Sequence, residues 1–333
     1  MAFFRCKQCL HMREVSNNYT GKSVKCPQCK TVSQVHDTVA FVESIIKKYV
    51  LQSKELKRLQ KSDIAGSEPT LVVDNDYCEL SDIHNTTELS SQKQYAPIVS
   101  WFQEHDIQTD VNHDAVDTTG FFDEIALSLG NQYTVLEELV SKIKYLQQKG
   151  YGNAKLPLVK KSKADKEIIK AFCQELYDYS FVTKYFFNQK EQSIHLSLQT
   201  VPSIVNFFNG IWMEWFIFIK LLNFFNAHKI SNACLRSLDI TFSNDDKNEL
   251  DIFFIANGMP ICIECKSGEF RPYIDKYSKL RKRLKMDKSQ FLFCVIGLDE
   301  KQTQGLSSTY DVTFVNESNL FLHLEKILQL KPL

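Results

Sequence analysis

The chain has 333 residues, 44% of them hydrophobic, and its 40 Lys and Arg balance its 40 Asp and Glu to a formal net charge of zero. These values indicate a soluble protein of two or three domains. They exclude a broadly basic protein, so contact with nucleic acid must come from local patches. Because no targeting segment is visible and six of the ten cysteines show no pairing pattern, we expect a cytoplasmic protein.

Four cysteines near the N-terminus have the spacing of a zinc ribbon. Cys6 and Cys9 form one Cys-x-x-Cys pair, Cys26 and Cys29 form another, and sixteen residues separate the pairs. Four thiolates on two tight turns bind zinc tetrahedrally with no open position, which makes the site structural. We therefore expect a zinc ribbon over residues 1–36. Its six basic residues against one acidic residue suit either nucleic acid or a partner protein.

The next two segments differ in character. Residues 37–61 predict a helix with apolar residues at helical spacing, which can pair with a copy of itself in a homodimer. From residue 68 to residue 124 there are thirteen acidic residues and one lysine. Residues 62–95, which overlap the first half of this acidic stretch, predict an acidic, flexible linker.

Residues 96–203 predict a mainly helical middle domain. Apolar residues recur at three- and four-residue spacing through residues 98–146, and residues 165–179 repeat the pattern. Residues 193–198 then alternate as a strand. A winged-helix arrangement is one candidate for the end of this domain.

A helix over residues 211–225 is predicted to be largely buried, because twelve of its fifteen residues are apolar. Its charged residues are Glu214 and Lys220. A buried acid must point into a polar cleft or bind a cation, so Glu214 is a candidate site residue. The segment is too short for a membrane span and carries both charges.

Two short apolar runs follow, Glu249-Leu-Asp-Ile-Phe-Phe-Ile255 and Pro260-Ile-Cys-Ile-Glu-Cys-Lys266. Asn257-Gly258 lies between them, and this dipeptide favours a two-residue hairpin turn. The three features together predict a β-hairpin.

The hairpin brings chemistry-bearing side chains together. Alternate residues of a strand share a face, so Glu264 and Lys266 project together and Asp251 can lie beside Glu264. Two carboxylates suit Mg²⁺ or Mn²⁺, which can polarise a phosphate and lower the pKa of a water molecule that Lys266 orients. The structural alternative is a surface ion pair at a strand end, but the apolar neighbours indicate a buried strand.

Three motifs together resemble the PD-(D/E)XK nuclease superfamily: Gly210-Ile-Trp-Met-Glu214, Asn248-Glu-Leu-Asp251 and Glu264-Cys-Lys266-Ser-Gly268. The order of helix, strands, helix and strand is similar to the nuclease domains of CRISPR-associated nucleases activated by cyclic nucleotides. It is more distantly similar to Mrr-type restriction endonucleases. The resemblance implies a restriction-endonuclease-like α/β domain over residues 204–333, with a mixed sheet flanked by helices.

The resemblance also implies roles for individual residues. Asp251, Glu264 and Glu214 would be ligands of Mg²⁺ or Mn²⁺, and Cys265 would add its backbone carbonyl. Lys266 would position the attacking water. The catalytic set would therefore be Glu214, Asp251, Glu264 and Lys266.

Residues 271–288 predict a basic helix directly after the second strand, with eight Lys or Arg residues against two Asp. Such runs are commonly solvated surface, but the position beside the candidate site favours contact with DNA phosphates. The candidate contacts are Arg271, Lys276, Lys279, Arg281, Lys282 and Arg283. Strands at 291–296 and 311–315 and a helix at 317–330 complete the predicted elements.

The sequence thus predicts a Mg²⁺- or Mn²⁺-dependent endonuclease that hydrolyses phosphodiester bonds, with DNA as the expected substrate. The resemblance implies a role in prokaryotic defence or restriction, a homodimer, and a defence-system partner for the zinc ribbon. Two alternatives stay open: an RNase that uses the same site, and a nucleic-acid-binding adaptor without activity. Intact Asp251, Glu264 and Lys266 argue against the adaptor, because binding alone does not require them.

Overall fold

The computed structural model of the protein describes residues 2–9, 11–38, 92–112, 115 and 121–330. The chain divides into two compact units, Met1–Asp74 and Asn75–Leu333. The predicted helix at 37–61 and the predicted acidic linker at 62–95 lie outside the described residues for almost all of their length.

The first unit is a small antiparallel sheet. Its strands are β1 (Ala2–Arg5), β2 (Met12–Val15), β3 (Ser23–Lys25) and β4 (Val32–Asp37), in the order β2-β1-β4-β3. Its described core consists of Ala2, Phe4 and Val35 with Cys6 and Cys26. So small a core supplies little stability by itself, and a metal crosslink is the usual supplement in such units.

The second unit begins with helices and a small sheet. Its first elements are α1 (Gln92–Glu104), β5 (Gln108–Val111), α2 (Phe122–Asn131), α3 (Tyr133–Gln148), β6 (Asn153–Pro157), α4 (Lys163–Asp178), β7 (Val182–Asn188) and β8 (Ser193–Leu198). Strands β6, β8 and β7 form an antiparallel sheet in that order. This sheet makes the middle of the chain less helical than its sequence predicts. The alternation of β7 is obscured by a register shift between Val182 and Lys184 and by two adjacent phenylalanines.

The remaining elements build the large sheet and the helices on it. They are α5 (Pro202–Asn206), α6 (Trp212–His228), β9 (Asn232–Thr241), β10 (Lys247–Ala256), β11 (Met259–Lys266), α7 (Ile274–Arg283), β12 (Phe291–Val295), α8 (Glu300–Thr309), β13 (Thr313–Val315) and α9 (Leu320–Ile327). The six-stranded sheet has the order β13-β12-β11-β10-β9-β5. Strands β5, β9, β10 and β11 are antiparallel neighbours, whereas β11, β12 and β13 are parallel.

Local sequence explains the centre of this sheet. Asn257 and Gly258 both have positive φ, at 49° and 78°, as a tight turn between β10 and β11 requires. The chain then crosses over through α7 to β12, because parallel strands need a long connection. The six-stranded mixed sheet flanked by helices agrees with the mixed α/β architecture that the sequence predicts.

Helices cover both faces of the sheet. On one face, α6 and α9 join α2, α3, α4 and the small sheet in a large apolar cluster. On the other face, α1 and α7 form a second cluster with residues such as Phe253 and Phe293. Strand β5, from the range predicted as a middle domain, pairs with β9. The predicted boundary at residue 203 therefore falls between segments that share a sheet and a core.

Helix α6 is apolar on all sides, and eleven of its seventeen residues are buried. By length and composition, the helical segment Pro202–His228, which is kinked at Gly210, could cross a membrane, with a mean hydropathy of 1.2. In the structure, 56% of its apolar window is buried inside the protein. Packing against the sheet and α2 accounts for its composition.

Two predicted helices are shorter than expected. The helix predicted over 271–288 ends at Arg283, because the chain turns at Lys285, whose φ is 54°. The helix predicted over 317–330 is α9, which is confined to Leu320–Ile327. Helix α8 was not predicted, because its Gln-, Ser- and Thr-rich sequence carries little apolar periodicity.

Gly130→Ala should destabilise the second unit. A methyl group at Gly130 would overlap the ring of Phe216, so α2 could not keep its close approach to α6. We expect a loss of about 1–3 kcal/mol in the free energy of unfolding, measured by urea denaturation. Gly305→Ala in α8 is the matched control, because a methyl group there meets open space. That variant should be unchanged or stabilised by up to about 1 kcal/mol, and equal effects of the two substitutions would contradict the packing.

Candidate functional site

The register of the β10–β11 hairpin brings Asp251 and Glu264 together. Ile252 pairs with Ile263, so the next residues outward along the two strands are Asp251 and Glu264. The backbone N–H of Cys265 donates a hydrogen bond of 2.7 Å to Asp251 Oδ2. The two acids that the sequence places side by side are thus neighbours in the structure.

Asp251 lies at an irregularity between β9 and β10. Leu250 pairs with Leu238 and Ile252 with Arg236, while Ser237, which stands opposite Asp251, has a φ of 50°. Leu250 belongs to the core cluster on the α7 face and Ile252 to the cluster on the α6 face. Such irregularities re-aim side chains beside functional sites.

Glu264 is buried with an unsatisfied oxygen. Glu264 is 1% exposed, and the Tyr277 hydroxyl on α7 lies near enough to its carboxylate to oppose part of the rise in its pKa. Among the described residues, Glu264 Oε1 has no hydrogen-bond partner. Burial, and secondly the charge of Asp251, raise the pKa of Glu264 well above its ordinary value. A buried carboxylate oxygen without a partner is costly, so this atom is available to a proton or a cation.

Lys266 lies on the same side as Glu264. Its ammonium nitrogen is 5.1 Å from the ring centroid of Tyr273 and 6.0 Å from that of Tyr277. Burial raises the pKa of Asp251, and the charge of Lys266 opposes that shift. The predicted combination of two carboxylates and one ammonium is therefore assembled at the end of β11.

Glu214 has a partner that the sequence did not reveal. Arg236 on β9 donates from Nη1 to Glu214 Oε2 at 3.0 Å, and the two side chains are 6% and 15% exposed respectively. Arg236 also stacks on Trp215 at 4.1 Å and donates from Nε to the carbonyl of Ala115 at 2.8 Å. Burial, followed by the charge of Asp251, raises the pKa of Glu214 to about 8, although Arg236 opposes this. Glu214 thus lies close enough to Asp251 for their charges to interact, but its hydrogen bonds go to β9.

A cavity of about 360 Å³ opens beside these residues. Glu214, Cys265 and Lys266 contribute to its wall, whereas Asp251 and Glu264 do not line it. Glu214 and Lys266, from opposite faces of the sheet, therefore reach a common space.

The predicted nucleic-acid contacts divide into two groups. Four of the six side chains are in ion pairs within the chain: Arg271 with Glu269, Arg281 and Lys282 with Asp311, and Arg283 with Asp246. Lys276 and Lys279 are exposed, and none of the described acidic side chains forms an ion pair with either. The charge of Lys276 also reaches Asp251 and Glu264, where it opposes part of the rise in pKa that burial causes. The prediction of DNA contact therefore rests chiefly on Lys276 and Lys279.

The four N-terminal cysteines form a compact cluster. Their sulfur atoms lie within 4.8 Å of one another, with 3.3 Å between Cys6 and Cys29 and 3.5 Å between Cys9 and Cys26. Hydrogen bonds with Thr31 lower the pKa of the Cys29 thiol to about 6, whereas burial and hydrogen bonds with the other thiols raise the pKa of Cys9 to about 12, although the His11 backbone opposes this. This arrangement can bind a zinc ion.

In the part of the chain that the structure describes, no second group of three or more Cys, His, Asp or Glu ligand atoms is so closely spaced. A cation at the hairpin would therefore depend on two side chains, Asp251 and Glu264. Mg²⁺ commonly binds through one or two carboxylates and keeps water and phosphate oxygens in its other positions. The two carboxylates at the hairpin fit this mode of Mg²⁺ binding.

No protein-family model matches the chain. A segment of 138 residues is 25% identical to the uncharacterized protein MJ1664 of Methanocaldococcus jannaschii, covering 41% of this chain and 56% of that protein. The chain thus spans little more than half the length of the curated relative that it matches.

Two solved structures are also similar. Protein VC1899 of Vibrio cholerae is 14% identical with a TM-score of 0.46, over 70% of this chain and 60% of that protein. Can2 of Sulfobacillus thermosulfidooxidans, solved in complex with cyclic tetra-adenylate, is 14% identical with a TM-score of 0.48, over 69% of this chain and 59% of that one. Neither likeness identifies a family, so a function for this chain must be argued from its own residues.

We expect one zinc ion per chain, held by the cysteine cluster. Replacing one of four ligands opens the closed tetrahedral site, so Cys26→Ser should lose most of the zinc, measured by mass spectrometry of the metal in dialysed protein. Cys173→Ala, at a buried position in α4, should keep it. A wild-type protein without zinc, or full zinc in Cys26→Ser, would contradict this assignment.

In EDTA, Glu264→Gln should flatten the fall in stability with rising pH. Because the folded-state pKa of Glu264 is raised above its ordinary 4.5, the folded protein keeps a proton that the unfolded chain releases. The resulting stabilisation is complete below about pH 4.5 and is lost as pH rises towards the folded-state pKa.

Urea midpoints between pH 5 and pH 9 check this expectation. The wild type should lose stability more steeply than Glu264→Gln, while the exposed control Glu137→Gln should follow the wild type. Parallel profiles for wild type and Glu264→Gln would mean that the Glu264 carboxyl does not titrate as a buried group.

Proposed function

We propose that this protein is a metal-dependent nuclease that hydrolyses phosphodiester bonds, with DNA as its substrate and Asp251, Glu264 and Lys266 at its centre. The observation that carries the proposal is the buried Asp251–Glu264 pair on neighbouring strands, in which Glu264 Oε1 has no partner among the described residues. A structural ion pair would have satisfied that atom. An unsatisfied carboxylate oxygen beside a second carboxylate is suited to binding a cation.

The connectivity supports the proposed type of fold. Helix α6 precedes the antiparallel strands β9, β10 and β11, and α7 then leads to the parallel strand β12. This is the order of helix, strands, helix and strand on which the resemblance to the PD-(D/E)XK superfamily rests. We propose a restriction-endonuclease-like fold for this part of the chain.

The residues fit a hard divalent cation. Asp251 and Glu264 offer carboxylate oxygens, and Cys265 can add its backbone carbonyl, which is the oxygen-rich set that Mg²⁺ and Mn²⁺ prefer. When bound, such a cation supplies charge neutralisation at the scissile phosphate and makes a water molecule more acidic.

The chain's own groups supply orientation and charge. The Tyr277 hydroxyl interacts with the Glu264 carboxylate, whose Oε1 has no hydrogen-bond partner among the described residues. The Cys265 N–H holds Asp251. Lys266 can donate to the attacking water or to the phosphate, and its ammonium adds positive charge where negative charge develops. Arg236 holds Glu214 at the edge of the same cavity.

The biological setting is a further part of the proposal. The sequence resemblance favours prokaryotic defence or restriction, and cleavage of both strands favours a homodimer, through residues 39–60 or through the nuclease part. The zinc ribbon is proposed to dock nucleic acid or a partner protein. These steps rest on resemblance and not on the geometry of the site.

The test is cleavage of labelled duplex DNA, single-stranded DNA and RNA of one sequence in EDTA, Mg²⁺ or Mn²⁺. We expect cutting only with metal, and rates lower by about 10²-fold or more in Asp251→Asn, Glu264→Gln and Lys266→Ala. The amides keep the acceptors that Cys265 and Tyr277 require, so those variants should fold. Asp239→Asn on β9 and Lys247→Ala at the start of β10 are exposed controls that should cut normally.

Each other outcome has a distinct meaning. RNA cleavage alone would preserve the site and correct the substrate. Binding without cleavage, unaffected by any of the three substitutions, would overturn the proposal in favour of a non-catalytic adaptor. Cleavage that survives Asp251→Asn and Lys266→Ala would place the activity elsewhere or in a contaminant.

A further inference from the structure

We infer that the cavity beside Glu214 and Lys266 is a subsite for a second phosphodiester group of the nucleic-acid backbone, bound by Lys144 and by the side-chain amides of Asn206 and Asn209. These residues lie outside the nuclease motifs: Lys144 is on α3, Asn206 ends α5, and Asn209 is in the kink between α5 and α6. The inference rests on the proposed function, because it assigns a neighbouring phosphate of the same substrate to this space.

The size and position of the cavity suit a backbone segment. Its volume of about 360 Å³ is within the range of small-ligand sites, roughly 300–1,000 Å³. Lys266 of the proposed centre and Lys144 of α3 both contribute to its wall. A strand whose scissile phosphate lies at Lys266 can therefore extend along the cavity towards Lys144.

A hydrogen-bond network prepares donors at the far end. Lys144 Nζ donates to the carbonyl of Asn209 at 3.0 Å, and Gln148 Nε2 donates to Asn209 Oδ1 at 3.1 Å. Both acceptors of Asn209 are thus occupied, and its side-chain NH₂ remains as a donor. An ammonium carries three N–H groups, so Lys144 retains donors after its bond to Asn209.

The turn that carries Asn209 is specialised. The helical path is kinked over Phe207–Ile211, where Gly210 has a φ of 156° that disfavours any side chain. A methyl group built on Gly210 meets nothing within 4 Å, so the wall is open at this point. Asn206, the last residue of α5, and Asn209, within the kink, both line the cavity.

The charges in the cavity favour an anion. Lys144 and Lys266 contribute two ammonium groups, and the amides add neutral donors. The two acids in the wall are offset, since Glu214 pairs with Arg236 and Glu269 pairs with Arg271. A phosphodiester has acceptor oxygens and one negative charge, which is the complement of this lining.

The decisive experiment compares the DNA binding of two lysine variants, one at Lys144 within α3 and one at Lys149, which caps the C-terminal end of that helix. Lys144 lines the cavity, whereas Lys149, at the C-terminal end of α3, is exposed and is not part of the wall. Binding of a fluorescein-labelled 20-mer duplex is measured by anisotropy in EDTA from 50 to 200 mM NaCl. Loss of one phosphate contact should weaken binding about fivefold near 0.15 M salt and reduce the salt slope of log K by about one. We expect this in Lys144→Met and not in Lys149→Met.

Further variants guard against a merely structural effect. Lys144→Arg keeps the charge and should restore the salt slope. Asn206→Ala removes an exposed donor and should weaken binding about two- to threefold without changing the slope. In cleavage assays, Lys144→Met should raise KM and leave kcat near the wild-type value, whereas Lys266→Ala should lower kcat.

The outcomes separate this inference from the proposed function. Equal binding by Lys144→Met and Lys149→Met would overturn the subsite even if the protein cuts DNA normally. If Lys144→Met weakens DNA binding as expected but the wild-type protein cuts no nucleic acid, the subsite is supported and the proposed nuclease activity is wrong. If inorganic phosphate binds the wild type but not Lys144→Met, while both proteins bind the oligonucleotide equally, the cavity is a site for a free anion. That result would overturn the assignment to the nucleic-acid backbone.

Discussion

Two carboxylates buried side by side, on Asp251 and Glu264, are the constraint on which the rest of the candidate site depends. Burial raises the pKa of both carboxyls, and the charge of Asp251 raises that of Glu264 further. The fold offsets part of this cost with the Cys265 N–H, the Tyr277 hydroxyl and the charge of Lys266. One oxygen of Glu264 stays without a partner among the described residues, and the proposed cation would complete that arrangement.

The sheet positions these groups because both of its faces contribute. Helix α7 brings Tyr277 to one face, and α6 brings Glu214 to the other, where Arg236 holds it. The irregularity at Ser237 and Asp251 lies between β9 and β10, on the two strands that carry Arg236 and Asp251. The space beside Lys266 is then lined by residues of α3 and of the kink before α6, so residues far apart in sequence can act on one nucleic-acid backbone.

Local sequence predicted the hairpin and the cysteine cluster, because Asn257-Gly258, strand alternation and Cys-x-x-Cys spacing act over short distances. It could not reveal contacts between distant elements. Arg236 reaches Glu214 across 22 positions, and Arg281 is paired with Asp311 across 30, which removes charge from the predicted DNA-binding helix. Strand β5 was missed since its four residues, Gln-Thr-Asp-Val, gain their strand conformation from pairing with β9.

The most direct test of the account is a crystal structure of the full chain soaked in Mn²⁺, with anomalous differences recorded at the manganese edge. We predict a peak at bonding distance from Asp251 and Glu264, with the Cys265 carbonyl turned towards it. The peak should disappear in Asp251→Asn crystals. An empty hairpin, or manganese bound solely at exposed surface acids, would contradict the claim that this carboxylate pair is a metal centre.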